Sequence, residues 1–457
     1  MTERNRWLLS WLAVAPAAAA SSAKLVDSDP WWQIRTGQLI WDTGQLPATD
    51  PFSWTITGRP WVLNSWGFDV LLAGAHHVAG MAGAALLGAV WAWIALGAML
   101  LLARSWGAPP APAVIVLLAG SVLYTSWFSS RPQLADYAAV PLLLVLVGLV
   151  LNRTRSLRQR VGGLVGVLML QVAWVNLHAA ATLGIAIVCL LCAGDAVRAW
   201  RESSSPPLPW YVAVTVVSTV GALVNPYGFG VLTQAAKVRE ASLLIREWSP
   251  ASVTHWQDMT FLALAILAMV VAVRRRWWGP SFVIAALAIA GVTMIRFLPV
   301  AGATVLPMLA AAVRLPAVAA IAERRRHWVT AVAVVAVTLT LAPAAVGLSR
   351  PGRSQYGADL VAALPSGCKL FNSYVLGGPL ILDRPDVPVS LDSRSDLYGE
   401  EFITELGAMT ADDLVDRGVT CILLRDTDAR VPALRTDPRW RLAGEEESFA
   451  LFLRTPA

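Results

Sequence analysis

The chain has 457 residues, 56% of them hydrophobic and 14% charged, where an ordinary soluble chain carries about 25% charge. That composition excludes a conventional soluble enzyme, and four cysteines exclude a disulfide scaffold. The net charge of +6 comes from basic residues at the ends of apolar runs, not from a basic face interleaved with aromatics, so it orients a membrane protein and does not point to nucleic acid.

Residues 7–24 follow Arg4 and Arg6 and form the first apolar segment, expected to stay as an uncleaved helix although APAAAASSA has the small residues of a cleavage site. Ten further spans read at about 82–103, 113–128, 134–151, 161–176, 179–197, 209–224, 259–273, 280–295, 298–313 and 329–348. Eleven helices put the clusters Arg153–Arg160, Arg198–Arg201, Arg274–Arg276 and Arg324–Arg326 on the inner side, as the positive-inside rule requires. The polar loop 25–80 and residues 350–457 then both face outward. Residues 1–349 are expected to be the transmembrane domain, carrying that first loop, and 350–457 a small soluble α/β domain. In the latter, short apolar runs at 369–373, 379–383, 387–391 and 419–424 suggest strands, residues 399–417 helices, and WRLAGEEESFALFLR a closing hairpin. Its cysteines Cys368 and Cys421 could pair outside the cell, and Cys189 and Cys192 suit a helix core.

The first 350 residues hold 13 acidic side chains, and Asp27, Asp29, Asp42 and Asp50 lie within residues 27–66, as do six of the 21 tryptophans. Asp27 and Asp29 are spaced i, i+2. In an extended segment both carboxylates then point to one side, where they could hold Mg²⁺ or Mn²⁺, or one could take a proton from an acceptor hydroxyl. A solvated loop with a helix cap is the plain alternative.

The string DSDPWWQIRTG resembles the first external loop of the oligosaccharyltransferase catalytic subunits, in which an acid-x-Asp-Pro motif precedes two aromatics and an Arg. Asp27, Asp29, Pro30, Trp31, Trp32 and Arg35 stand at those positions. This superfamily, the GT-C glycosyltransferases, has multi-helix membrane domains and moves sugars from polyprenyl-phosphate donors. The longer strings DPWWQIRTGQLIWDTGQLPATDPFSW and NSYVLGGPLILDRPDVPVSLDSRSDLYG resemble a group of bacterial GT-C membrane proteins. Those proteins have a His near position 33, where this chain has Gln33. The second string places Asn372, Tyr374, Gly377, Gly378, Asp392, Arg394, Asp396 and Tyr398 on the group's pattern. The glycines are expected to make a strand-entry turn, and Asp392, Arg394 and Asp396 a polar edge that binds sugar hydroxyls, docks on the first loop or forms an internal ion network.

Arg131, Asn176, His178, Arg246, Glu247 and Arg296 fall at the outer ends of helices in the eleven-helix count. Charges at membrane depth are costly and tend to line functional cavities, and Arg offers a phosphate bidentate geometry, although single arginines also snorkel to headgroups. Trp31 and Trp32 are either interface anchors or stacking partners for an acceptor.

The resemblance implies a mainly α, GT-C-like membrane bundle with a C-terminal α/β domain, acting as an inverting glycosyltransferase at the outer face of the cell membrane. The partners expected are a polyprenyl-phosphate-linked sugar, a glycan, lipid or protein acceptor, and the bilayer. Asp29 and Asp27 are the candidate base or metal ligands. Arg35, Arg131, His178, Arg246, Glu247, Arg296, Trp31, Trp32, Asp392 and Arg394 are the candidate donor- or substrate-binding residues. A transporter or a non-catalytic envelope-assembly subunit is the alternative. A transporter would show inverted repeats and midplane charges, and neither is evident.

Overall fold

A computed structural model describes residues 2–22, 28–231, 246–313, 357–446 and 448–455. In chain order the longer helices are α1 Glu3–Ala13, α2 Ala15–Ser22, α3 Asp29–Thr43, α4 Trp66–Ser105, α5 Pro110–Ser121, α6 Gln133–Leu151, α7 Leu157–Leu177, α8 Thr182–Arg201, α9 Leu208–Leu223, α10 Trp256–Arg274, α11 Trp278–Thr293 and α12 Phe297–Ala312. Among the described residues five helices, α4, α6, α7, α8 with the turn before it, and α10, are long and apolar enough to cross a membrane, and α5, α9, α11 and α12 are shorter apolar helices. They fall on the expected spans from 82–103 to 298–313, although the one at 113–128 leaves its α-helix at Ser121. The span 329–348 lies outside the described residues.

The expected helix at 7–24 is instead two, α1 and α2, parted at Val14. Pro16 has no amide hydrogen with which to continue the ladder from α1, but it is tolerated in the first turn of α2. Helix α4 likewise breaks, at Ala79 and Gly80, where Gly80 takes φ 59°.

The chain forms two compact units. The first comprises Met1–Lys24, Ala85–Ala235 and Ile245–Leu348. Its central helix is α12, apolar all round and therefore buried all round: every side chain from Leu298 to Ala311 is enclosed, against α5, α6, α10 and α11. Small residues permit the close approach. A Cβ on Gly194 of α8 would stand 2.2 Å from the backbone nitrogen of Gly279 in α11, so these helices meet backbone to backbone. On the outside, Val161, Val165 and Met169 of α7 and Val212, Val216 and Val220 of α9 make exposed apolar rows at four-residue spacing. Such rows are unfavourable in water and suit lipid. This is a membrane protein.

The second unit joins Leu25–Ala84 to Ser349–Ala457, so the first loop groups with the C-terminal segment and not with the helices that flank it. The C-terminal helices are α13 Ala358–Ala362, α14 Gly377–Asp383, α15 Ser395–Tyr398, α16 Glu400–Ala408, α17 Ala411–Asp416 and α18 Val431–Thr436. Strands β1 Leu370–Asn372, β2 Cys421–Arg425, β3 Trp440–Glu446 and β4 Phe449–Arg454 form one sheet in the order β1-β2-β4-β3. β1 and β2 run parallel, Leu370 opposite Cys421; β2, β4 and β3 are antiparallel. The expected hairpin is present. The run 379–383 is helical instead, and 387–391 contributes a single bridge, Val389 to Ser53. Its two strand-like bonds go to the first loop: Trp54 N donates to Val389 O and Val389 N donates to Phe52 O, both at 3.1 Å. The first loop thus completes this domain.

Candidate active site

Asp29 opens α3, and Pro30 sits in the first turn, where its missing amide hydrogen is not needed. Ser28 already has helical dihedrals (φ −81°, ψ −9°), so the extended geometry expected around Asp29 is replaced by a helix start. Asp27 lies outside the described residues. Asp29 is half-buried. The indole of Trp32, one turn on, donates to Asp29 Oδ1 at 3.3 Å and to Ser393 Oγ at 3.1 Å. Trp32 also meets Trp61 edge-on, with ring centroids 6.1 Å apart. Trp31 is buried.

The turn before Asp29 is held by α14, which packs on α3. Gly377 and Gly378 do not form the expected strand-entry turn. Gly377 is helical, at φ −57°, and both glycines serve close approach. A Cβ on Gly378 would fall 2.1 Å from Ser28 O, and one on Gly377 2.3 Å from Leu391 O.

Behind this, Asp392 and Arg394 form a buried ion network in place of an open polar edge. Arg394 donates through Nε and Nη2 to Asp392 at 2.8 and 2.7 Å, and its Nη1 lies 2.7 Å from Asp50 Oδ1. Tyr398 OH adds a bond to Asp392 at 2.8 Å. The guanidinium lies over Trp61 at 4.7 Å and Phe52 at 5.1 Å. Burial alone would discharge Arg394, but Asp392 and Asp50 outweigh it and hold the cation. Asp396 is half-buried nearby and accepts from Asn64 Nδ2 at 3.1 Å. Burial pushes its carboxyl up against the pull of Arg394, and Asp29 and Asp392 add to the rise.

Arg35, half-buried two turns along α3, reaches Gln38 at 3.4 Å. Asp69 in the first turn of α4, which the sequence reading passed over, is 0% exposed. It accepts from Ser65 Oγ at 3.0 Å, and the charge of Asp29 reaches it. A carboxylate four residues into a Trp-led apolar helix was the signal for it.

In the membrane unit the structure gathers Arg131, Glu247 and Arg296. Arg131 pairs with Glu247. Arg296 N donates to Glu247 O at 3.0 Å, and its guanidinium lies 4.2 Å over the Trp248 ring. Burial would push the Glu247 carboxyl up; Arg131 and Arg296 together hold it below the usual range. In the same unit His178 Nδ1 lies 2.8 Å from both oxygens of Asp136, which also accepts from Trp174 Nε1 at 2.7 Å. Asp136 and Trp174 are the members that sequence reasoning missed. Asn176 bonds the backbone carbonyls of Val172 and Val224 at 2.7 and 2.8 Å. Arg246 is exposed.

No three Asp, Glu, His or Cys side chains among the described residues stand together as a metal site. Cys189, Cys192, Cys368 and Cys421 are free thiols.

No family model and no curated protein matches the chain. Solved structures do. ArnT from Cupriavidus metallidurans bound to undecaprenyl phosphate superposes with a TM-score of 0.61 at 15% identity, over 98% of this chain and 97% of that one. The oligosaccharyltransferase AglB from Archaeoglobus fulgidus, in complex with an inhibitory peptide and a dolichol-phosphate, gives 0.60 at 12% identity, over 93% of this chain and 70% of that one. At these identities what is shared is architecture: the chain has the GT-C fold of the membrane glycosyltransferases.

Proposed function

We propose that this protein is an inverting membrane glycosyltransferase that takes a sugar from a polyprenyl-phosphate donor and transfers it to an acceptor hydroxyl at the outer face of the membrane. The observation that carries the reading is the agreement of its fold, over nearly the whole of both chains, with a protein solved with undecaprenyl phosphate. Asp29 accepts the proton of the acceptor hydroxyl, and the hydroxyl oxygen attacks the anomeric carbon. The bond from that carbon to the phosphate oxygen breaks, and polyprenyl phosphate leaves with the electron pair. The indole N–H of Trp32 donates to Asp29 Oδ1 and so orients the carboxylate that takes the proton. Arg131 and Arg296 are the partners proposed for the phosphate, with bidentate geometry and a charge excess over Glu247. Asp27 and Asp29 are the residues that would hold Mg²⁺ or Mn²⁺, and Asp27 lies outside the described residues.

The test is transfer by the full-length protein from a panel of polyprenyl-phosphate sugars. Asp29→Asn should lower turnover by about 10²–10⁴-fold with an unchanged melting temperature. Turnover equal to wild type would sink the assignment.

A further inference from the structure

The four cysteines of the chain are placed in two different ways. Cys189 and Cys192 sit one turn apart on α8, Cys189 exposed and Cys192 buried. Cys368 and Cys421 are far apart in sequence, yet both are buried in the core of the second unit, at 7% and 1% exposure. Strand pairing brings them together. Leu370 of β1 stands opposite Cys421 of β2 in parallel register. Cys368 lies just before β1, and the carbonyl of its neighbour Lys369 accepts from Thr420 N at 3.0 Å and from Cys421 N at 3.3 Å. The Lys369 amide donates in return to Thr420 Oγ1 at 2.9 Å. On this frame the thiols meet: Cys368 S–H donates to the Cys421 sulfur, which also accepts from the Thr420 hydroxyl. Arg384, anchored on Val361 O and Leu364 O at 3.0 and 2.7 Å, lies near enough for its charge to reach both sulfurs.

Two small apolar residues filling a core are the plain alternative. That accounts for burial, but not for sulfur meeting sulfur across two backbones tied by hydrogen bonds. From such contact, side-chain movement closes the gap to the ~2.05 Å of a disulfide. Compartment decides the rest, since paired thiols stay reduced in a cytosol and oxidise outside it.

We propose that Cys368 and Cys421 are oxidised to a disulfide by a protein or small-molecule disulfide outside the membrane, and that this bond locks the segment holding the entry to α3. The proposal takes the outer location of the domain from the functional reading above. One cysteine thiolate attacks a sulfur of the oxidant; a bond to that sulfur forms, the oxidant's S–S bond breaks, and its other sulfur leaves with the electron pair. The second cysteine thiolate then attacks the first cysteine's sulfur, and the remaining oxidant sulfur leaves. Two protein thiols are oxidised to one disulfide, one disulfide is reduced to two thiols, and the two protons pass to the leaving sulfurs. Because both cysteines are buried, the exchange belongs to folding, before the sheet covers them, and the core then shields the bond. The loop it closes carries Gly377 and Gly378 against Leu391 and Ser28, Val389 on the first loop, and the pair of Asp392 with Arg394. Closing that loop restricts the unfolded chain and so stabilises the folded segment.

Two measurements on the full-length protein test it. In the first, cells are quenched in acid, free thiols are capped with N-ethylmaleimide, and the protein is digested without reductant. Mass spectrometry should find the Cys368 and Cys421 peptides joined, with Cys189 and Cys192 capped. Capped Cys368 and Cys421 would overturn the proposal. In that event a membrane-impermeant maleimide, applied to whole cells carrying Glu401→Cys at an exposed position, separates the causes. Labelling beyond wild type means an outer domain whose thiols do not pair; no labelling means that the outer-face reading has failed as well. The second measurement is melting of the purified protein. Wild type should melt about 5 °C or more lower after reduction, and Cys368→Ala/Cys421→Ala should melt at one temperature with or without reductant. An equal fall in the double variant, or no fall in wild type, would overturn the lock. A joined pair in a protein that turns over no polyprenyl-phosphate sugar upholds the bond and fails the transferase reading alone.

Discussion

Around Arg394 one buried guanidinium is enclosed by two carboxylates, Asp392 and Asp50, whereas in the membrane unit one carboxylate, Glu247, serves two arginines. Neither place can leave a charge bare. Arg394 lies in a site only 1% exposed, where an unpaired charge would be costly, and its two carboxylates meet that need. Two guanidinium groups in an apolar bundle cannot be left uncompensated, and Glu247 stands between them as a resident counterion. The charges differ accordingly: Asp392 and Asp50 exceed Arg394 by one, and Arg131 with Arg296 exceed Glu247 by one.

The widest separation of effects should come from pairing Asp29→Asn with Arg394→Ala. The first removes activity by about 10²–10⁴-fold and leaves folding alone. The second strips the partner from Asp392 and Asp50 in a site only 1% exposed and should cost about 3–5 kcal/mol of stability, read as a fall in thermal midpoint and as faster proteolysis of the second unit. Stability close to wild type in Arg394→Ala would show that the network is not what holds this domain. A smaller effect is expected at the glycine contact. Gly378→Ala places a Cβ 2.1 Å from Ser28 O, so backbone must move by more than an ångström at the entry to α3. Overpacking of this kind costs about 1–3 kcal/mol. Because it shifts Asp29, turnover should fall about 10–100-fold while Gly407→Ala, with open space around its Cβ, stays at wild-type rate.

Much of the architecture was legible because one-dimensional signals carry it. Apolar runs gave the helices from α4 to α12, and WRLAGEEESFALFLR gave the β3–β4 hairpin of the C-terminal sheet. What was not legible depends on tertiary pairing. DPWWQIRTGQLIWDT has both apolar residues and tryptophans on several faces and read as a loop, because one face of α3 is covered by α14, over 330 residues later. LDSRSD read as an alternating edge because alternation cannot distinguish a strand from a chain that folds Arg394 back onto Asp392. Gly377-Gly378 looked like a turn because nothing local reveals a carbonyl from Ser28 lying against it. Asp29 was found from its motif. Asp69 was not, since its one signal, an acid at the start of a long apolar helix, comes without the motif spacing that marks Asp29.

The smallest expected effect tests the carboxylate that serves two arginines. Glu247→Gln keeps the shape and a hydrogen-bond acceptor but removes the charge shared by Arg131 and Arg296. Glu247 is held below its usual range in the fold, against about 4.3 in an unfolded chain. A depressed carboxyl contributes stability that is fully present above the unfolded value and is lost as pH falls through the folded one. Wild type should therefore melt above Glu247→Gln at pH 7, by no more than about 1 kcal/mol for a carboxylate still 22% exposed, and the gap should close on acidification below about pH 4. A gap that stays constant down to pH 3 would mean that packing, not charge, is what the variant loses. The same substitution leaves two arginines without their counterion, so added polyprenyl phosphate should stabilise Glu247→Gln more than wild type. An anion that replaces a resident carboxylate must first displace it, and here that competitor has been neutralised.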